Sequence, residues 1–137
     1  MSFALGFDYG LKRIGVATGQ TLTKTASPLT TIQARNGAPD WTVIQKLLEE
    51  WSPNVVVIGL PLNADGTISE MAKRAKKFGQ RLYGRFGVTV SYVNEFETTR
   101  EARYFMKNNR RTIKQDGKID AAAACLILER WLGEKND

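Results

Sequence analysis

The spacing of hydrophobic positions changes part-way along the chain. Residues 3–9 are nearly all apolar, which is typical of a central strand covered on both faces. Gly10 follows as a turn residue, residues 14–18 predict a partner strand, and residues 28–33 predict a third, weaker strand. The first part of the chain therefore predicts an antiparallel meander of three strands.

From residue 41 onward the apolar positions recur at helical spacing, until Ser52-Pro53 ends that helix. Residues 55–59 form a β-branched run that is typical of a buried parallel strand. Thr67 to Glu70 has the form of a capping box and predicts a second helix, which ends at Gly87 and leads into a strand at 88–93. The predicted core face of this second helix comprises Met71, Ala75, Phe78, Leu82 and Phe86.

The last third of the chain predicts two more helices. A second capping-box pattern at Thr98 to Glu101 begins a short helix that runs to about Lys107, and a last helix spans residues 118–132. The whole order, β-β-β-α-β-α-β-α-α, predicts an α/β fold with a mixed five-stranded sheet and helices on both faces. Because no repeat or linker divides the 137 residues, we expect one domain, 1–137.

The composition excludes several kinds of chemistry. The sequence contains no histidine, which rules out histidine-dependent nucleophile systems, histidine bases and histidine-ligated zinc. The single cysteine, Cys125, is interpreted as core packing and allows no internal disulfide. Carboxylates holding Mg²⁺ or Mn²⁺ become the leading class of site. Without a leader pattern or a membrane-length apolar run, we expect a cytoplasmic protein.

The net charge of +6 points to an acidic partner such as nucleic acid. Cations concentrate in the helix ending at Phe86 and in the segment 100–118, and either cluster alone also fits a solvated surface. Together they predict contacts with backbone phosphates that weaken as salt rises, without base-specific recognition. The predicted nucleic-acid-binding residues are Lys12, Arg13, Arg74, Lys77, Arg81, Arg85, Arg103, Lys107, Arg110, Arg111, Lys114 and Lys118.

Three separated carboxylates are candidates for one metal site. Asp8 ends the first apolar strand, Glu95 follows a later strand, and Asp120 lies in the first turns of an apolar helix. Asp8 alone also fits a turn-capping role, and Asp120 alone fits a helix-start role favoured by the helix dipole. In a mixed sheet, adjacent strand ends and a helix N-terminus can converge, so we predict that the three meet.

Such a cluster suits the hydrolysis of phosphodiester bonds. Two divalent ions roughly 3.5–4 Å apart neutralise the diester, activate water and stabilise the leaving oxygen. Asp8 is the expected bridging ligand between Glu95 and Asp120, and all three are the predicted catalytic and metal-binding residues. Glu97 lies close to Glu95 in sequence and could take its role, and Lys12 fits either a phosphate contact or a surface ion pair.

Three motifs resemble one protein family. Phe7 to Ala17 (FDYGLKRIGVA), Gly59 to Asn63 followed by Asp65-Gly66, and Lys118 to Ala124 (KIDAAAA) are similar to motifs of the YqgF-type Holliday-junction-resolvase-like family. The resemblance covers almost the whole chain. It implies a ribonuclease H-like fold, dependence on a divalent metal, and a carboxylate triad at Asp8, Glu95 and Asp120. It also implies a role in maturing the 5′ end of precursor 16S ribosomal RNA.

A further family motif, which falls at residues 94–99 between the second and the last of these, departs from its usual form. Asn94 and Phe96 stand where the family usually has Asp and Arg, whereas Glu95, Thr98 and Thr99 match. The missing arginine removes a partner for phosphate or carboxylate.

Other functions remain open on the sequence. One is a junction resolvase acting on DNA, which needs two active sites and hence a dimer. Another is a non-catalytic RNA-binding module that keeps the fold. A phosphate-cradling ATPase would need a second lobe, which 137 residues do not provide. The sequence leaves the oligomeric state undetermined.

Overall fold

A mixed sheet of six strands organises the part of the chain that the computed structural model describes, residues 2–94 and 116–134. The strands lie in the order β4-β3-β2-β1-β5-β6. The elements are β1 (Phe3–Asp8), β2 (Arg13–Gln20), β3 (Thr25–Arg35), β4 (Ala38–Pro39), α1 (Trp41–Trp51), β5 (Val55–Leu60), α2 (Glu70–Phe86), β6 (Val90–Asn94) and α3 (Asp116–Glu134).

The predicted meander and the change to parallel pairing are both confirmed. β1 pairs antiparallel with β2, and β2 pairs antiparallel with β3. β5 then lies parallel to β1, and β6 lies parallel to β5. The carboxyl ends of β1, β5 and β6 therefore lie at the same edge of the sheet.

The prediction of five strands was wrong by one. β4 has two residues and pairs with the end of β3 across a tight turn at Asn36-Gly37. Both turn residues have positive φ, 51° and 85°, and Asn-Gly is the sequence best suited to such a hairpin. β3 is also longer than predicted. It accommodates Pro28 because much of its length forms an outer edge, where a missing N–H breaks no pairing.

Alternation along the central strands builds two cores, one on each face of the sheet. In β1, Leu5 and Phe7 face α1 and α2, where they join Ile58 and Phe78. Ala4 faces the opposite way, towards α3, together with Val57. Because side chains alternate along a strand, Asp8 lies on the α3 face at the end of β1. A charged side chain thus lies at the edge of an apolar layer.

Capping fixes where the two middle helices begin. Asp40 accepts from the backbone N–H of Thr42 at 3.0 Å and starts α1. For α2, the predicted capping box at Thr67 was wrong. Ser69 is the N-cap, and its hydroxyl accepts from the backbone N–H of Ala72 at 3.0 Å. The Thr67 hydroxyl instead bonds Asp65 at 2.6 Å, which keeps it within the preceding turn.

Three of the five residues predicted for the core face of α2 are buried, and two are not fully buried. Ala75, Phe78 and Leu82 are buried as predicted. Met71 and Phe86 are only partly buried, and Ala72 takes the buried position at the start of the helix. The predicted short helix at 98–107 lies outside the described residues. Within residues 2–94 and 116–134, no helix is long and apolar enough to cross a bilayer.

Candidate active site

Small residues on β1 and β2 allow the backbone of α3 to lie directly on the sheet. Gly15 decides the approach, because a Cβ there would overlap the carbonyl oxygen of Asp120. The helix is also narrow, since the face near this point carries Ala121 and Ala124. The first described turns of α3 are therefore held at backbone contact with β2.

This contact brings the backbone of Asp120 to the strand position opposite Asp8. Gly15 is the direct cross-strand partner of Asp8, and antiparallel partners have Cα atoms about 4.5–5.5 Å apart. Asp120 lies over Gly15. Among the described residues, the charged ones that are buried are these two, with Asp8 7% and Asp120 8% exposed. Burial of such groups is costly unless partners or a cation compensate their charge.

Arg13 supplies part of that compensation. Its Nε donates to Oδ2 of Asp120 at 2.8 Å. The arginine side chain is 34% exposed and that of Asp120 is 11% exposed, so the pair lies at the mouth of the site. Arg13 was predicted to contact nucleic acid. In the structure it lies beside a carboxylate, where it can also meet a phosphate that approaches the site.

Asp8 and Asp120 fit the donor set of a hard divalent cation. Both offer oxygen ligands, which Mg²⁺ and Mn²⁺ prefer, and both lie on the α3 face at one sheet edge. Within residues 2–94 and 116–134, no group of three acidic, histidine or cysteine side chains that could hold a metal ion is assembled. Glu95, the third predicted ligand, and Glu97 lie outside the described residues.

The basic side chains of α2 lie in the other layer of the molecule. Arg74, Lys77, Arg81 and Arg85 are exposed on α2, which packs on the face opposite α3. Lys12 is exposed in the turn between β1 and β2, close in sequence to Asp8. The remaining predicted contacts lie outside the described side chains. These are Arg103, Lys107, Arg110, Arg111, Lys114 and Lys118.

The loop after β5 is stabilised by its own polar side chains. Nδ2 of Asn63 donates to the hydroxyl of Thr67 at 2.9 Å, and Asp65 accepts from the backbone N–H of Thr67 at 3.0 Å. These bonds lower the pKa of Asp65 below its usual value, with the hydroxyl of Thr67 contributing most. Both side chains thus have structural partners within the turn.

Cys125 has the packing role predicted for it, and two tryptophans also pack in the interior. Trp131 is buried and donates to the Ser91 hydroxyl at 3.0 Å, and Trp51 packs edge-on against Phe3. Cys125 packs beside the α3 core, and burial raises the pKa of its thiol to about 11.

Sequence reasoning missed two features near the site. One is the ion pair of Arg13 with Asp120, which joins residues 107 positions apart and has no local signal. The other is the close approach at Gly15, for which a signal existed. A glycine inside a β-branched strand often marks a place where another backbone comes close.

The family model described as "RuvX: Holliday junction resolvase" matches residues 2–134. The chain belongs to this family. A relative from Actinobacillus succinogenes is 50% identical over 132 residues, covering 95% of this chain and 94% of its own, and bears the name "Putative pre-16S rRNA nuclease". A relative from Aeromonas hydrophila with the same name is 51% identical over 133 residues, covering 96% and 94%.

Two solved structures similar to this RuvX-family chain are those of resolvases bound to junction DNA. RuvC of T. thermophilus, in complex with a Holliday junction substrate, matches with a TM-score of 0.59 at 13% identity, covering 98% of this chain and 96% of its own. Fowlpox virus resolvase, in complex with junction DNA, matches with a TM-score of 0.60 at 14% identity, covering 98% and 99%. At such low identity the likeness shows the fold, which is the predicted ribonuclease H-like fold.

Proposed function

We propose that this RuvX-family protein is a divalent-metal-dependent nuclease that hydrolyses phosphodiester bonds at the 5′ end of precursor 16S ribosomal RNA. The observation that carries the proposal is the pair of nearly fully buried carboxylates, Asp8 and Asp120. Gly15 links them, because it is the cross-strand partner of Asp8 and lies against the backbone of Asp120. Buried carboxylates at the carboxyl end of a central strand and in the first turns of a helix are the oxygen donors that Mg²⁺ and Mn²⁺ prefer.

In this proposal the carboxylates are metal ligands. Asp8, Asp120 and Glu95 would hold the metal, with Glu95 assigned from the family motif and its place directly after β6. Mg²⁺ or Mn²⁺, as one or two ions, would supply neutralisation of the diester charge and a more acidic water. Arg13 holds Asp120 in position through its Nε, and its side chain is partly exposed at the mouth of the site.

Precursor ribosomal RNA is the proposed substrate because relatives at half identity, matched over nearly their whole length, carry that activity in their names. The cationic surface of α2 supports binding of a polyanion through its phosphates. We place the reaction in the cytoplasm and assign it to one domain comprising residues 1–137.

A Holliday junction resolvase is the second candidate, since the family description names that activity. The same carboxylates would serve it, because hydrolysis of RNA and DNA diesters makes the same electrostatic demands. The two candidates differ in substrate and assembly, since a junction needs paired cuts and hence two active sites.

Cleavage assays with Mg²⁺ or Mn²⁺ test both candidates. The substrates are a 5′-extended precursor 16S fragment and a four-way DNA junction. Asp8→Asn and Asp120→Asn should each lower the cleavage rate at least about a hundredfold, since even supporting partners of metal ligands are worth about 10–100-fold. The matched control is Asp40→Asn, which keeps a good N-cap on α1 and lies away from the site. Glu95→Gln and Glu97→Gln identify the third ligand.

Each outcome decides between the candidates. Cleavage of the RNA at its mature 5′ end supports the first, and symmetric cleavage of the junction alone supports the second. If both aspartate variants cleave like the wild type, the site assignment is wrong. RNA binding without cleavage under any metal would show a non-catalytic binding module instead.

A further inference from the structure

A cavity of about 480 Å³ lies on the face of the sheet opposite the carboxylate pair. It is enclosed by the end of β1, the Asn36-Gly37 turn, the start of α1 and the outer side of α2. Its volume falls within the roughly 300–1,000 Å³ of ordinary ligand pockets. None of the predicted catalytic residues lines it, so it is a separate site.

The floor of this cavity is aromatic. The rings of Tyr9 and Phe78 lie 5.0 Å apart, and those of Trp41 and Phe78 lie 5.9 Å apart and nearly parallel. Tyr9 is fixed by a 2.8 Å hydrogen bond from its hydroxyl to the carbonyl of Gly37. A side chain at Gly37 would collide with that hydroxyl, so a glycine at this position allows the turn to lie directly against Tyr9.

The rim of the cavity is cationic. Lys73, Arg74, Lys77 and Arg81 line it from α2, opposed by Glu70, which lies 3.5 Å from Lys73. The field of these side chains reaches the floor. Burial raises the pKa of the Tyr9 phenol, whereas Arg74 and Arg81 act to lower it. An anionic group at the rim would therefore be attracted by several side chains of α2.

We propose that this cavity binds one unpaired nucleotide of a single-stranded nucleic acid, with the base against the aromatic floor and the phosphate against the α2 cations. Single-strand binding sites generally combine these two features, a positive groove for the backbone and aromatic side chains for the bases. A paired base is excluded, since its faces are covered by neighbours in the helix.

The position of the cavity suits a strand that also reaches the carboxylates. Asp8 and Tyr9 are consecutive, with Cα atoms about 3.8 Å apart, and lie next to opposite faces of the sheet. A strand that crosses the end of β1 can contact both. The role of the bound strand as substrate rests on the proposed nuclease function. Binding itself does not.

The test measures binding of a six-nucleotide single-stranded RNA and of a blunt RNA duplex of the same length, with EDTA present. Ala38→Phe fills the cavity without a change in charge, at an exposed strand position that tolerates an aromatic residue. Lys77→Glu reverses a rim charge. Lys76→Glu is the matched control, because Lys76 is the exposed neighbour on α2 that does not line the cavity.

We expect Ala38→Phe to weaken single-strand binding about tenfold and duplex binding less than twofold. Lys77→Glu should weaken single-strand binding about tenfold and Lys76→Glu less than threefold. If Ala38→Phe binds the single strand like wild type, or weakens both ligands equally, the nucleotide pocket is refuted. Equal effects of the two lysine variants refute it too. Because EDTA removes metal catalysis from the assay, these outcomes are independent of the cleavage experiment.

Discussion

At the scale of single residues, the lack of a side chain at Gly15 determines where Asp120 lies. Gly15 lets α3 lie against β2, and this places the backbone of Asp120 at the strand position opposite Asp8. Gly15→Ala should destabilise the fold by about 1–3 kcal/mol, as overpacking does, and should lower cleavage by displacing Asp120. Urea unfolding measures the first effect.

Gly84→Ala is the matched control, because nothing lies within 4 Å of a Cβ added there. It sits inside the exposed part of α2, where alanine favours the helix by about 1 kcal/mol at most. We expect Gly15→Ala to lower the free energy of unfolding and Gly84→Ala to raise it. A neutral Gly15→Ala would contradict the close packing of α3.

Arg13 provides a second prediction at this scale. Arg13→Ala leaves the carboxylate of Asp120 without its 2.8 Å partner, and a bound divalent cation would compensate that loss. We therefore expect Mg²⁺ to raise the Tm of Arg13→Ala more than that of the wild type, measured against EDTA. Arg35→Ala, a change at an exposed arginine on β3, should respond like wild type. If Mg²⁺ raises the Tm of Arg13→Ala no more than that of the wild type, Arg13 does not influence the metal site.

At the scale of elements, the start of α2 shows how two neighbouring hydroxyls compete for one role. Ser69 caps the helix and also donates to the carbonyl of Pro61, whereas Thr67 is bound within its own turn. Ser69→Ala should cost about 1 kcal/mol of stability, and Thr67→Ala less than about 0.5 kcal/mol. Chemical denaturation compares them. A larger loss of stability in Thr67→Ala than in Ser69→Ala would favour the capping box at Thr67 that the sequence predicts.

The elements themselves were largely predictable, and the reason is local. Continuous apolar runs identified β1 and β5 because both faces of these strands are buried, and the helical period identified α1 and α2 because one face of each helix is buried. β4 escaped prediction because two residues carry no period, although Asn36-Gly37 signalled the turn. The choice of Ser69 over Thr67 depended on the fold of the preceding loop, which the motif alone does not encode.

At the scale of the whole molecule, the sheet separates the cations of α2 from the carboxylates at α3. Four phosphate contacts at Arg74, Lys77, Arg81 and Arg85 imply a slope of about −2.8 in log affinity against log salt for single strands. RNA affinity should thus fall about fiftyfold between 50 and 200 mM salt. A titration series measures this, and a fall of less than about fivefold would contradict phosphate binding by α2.

The sequence by itself determined the family, and it predicted the class of chemistry. Without histidine and with a single cysteine, carboxylates such as Asp8, Glu95 and Asp120 became the leading candidates, and the family motifs around them are short stretches of sequence. Only the tertiary structure decided what lies beside them. The pairing of Asp120 with Arg13, the contact over Gly15 and the cavity behind Tyr9 join residues far apart in the chain. Such contacts arise from strand register and helix packing, which depend on the folding of the whole sheet rather than on any local pattern.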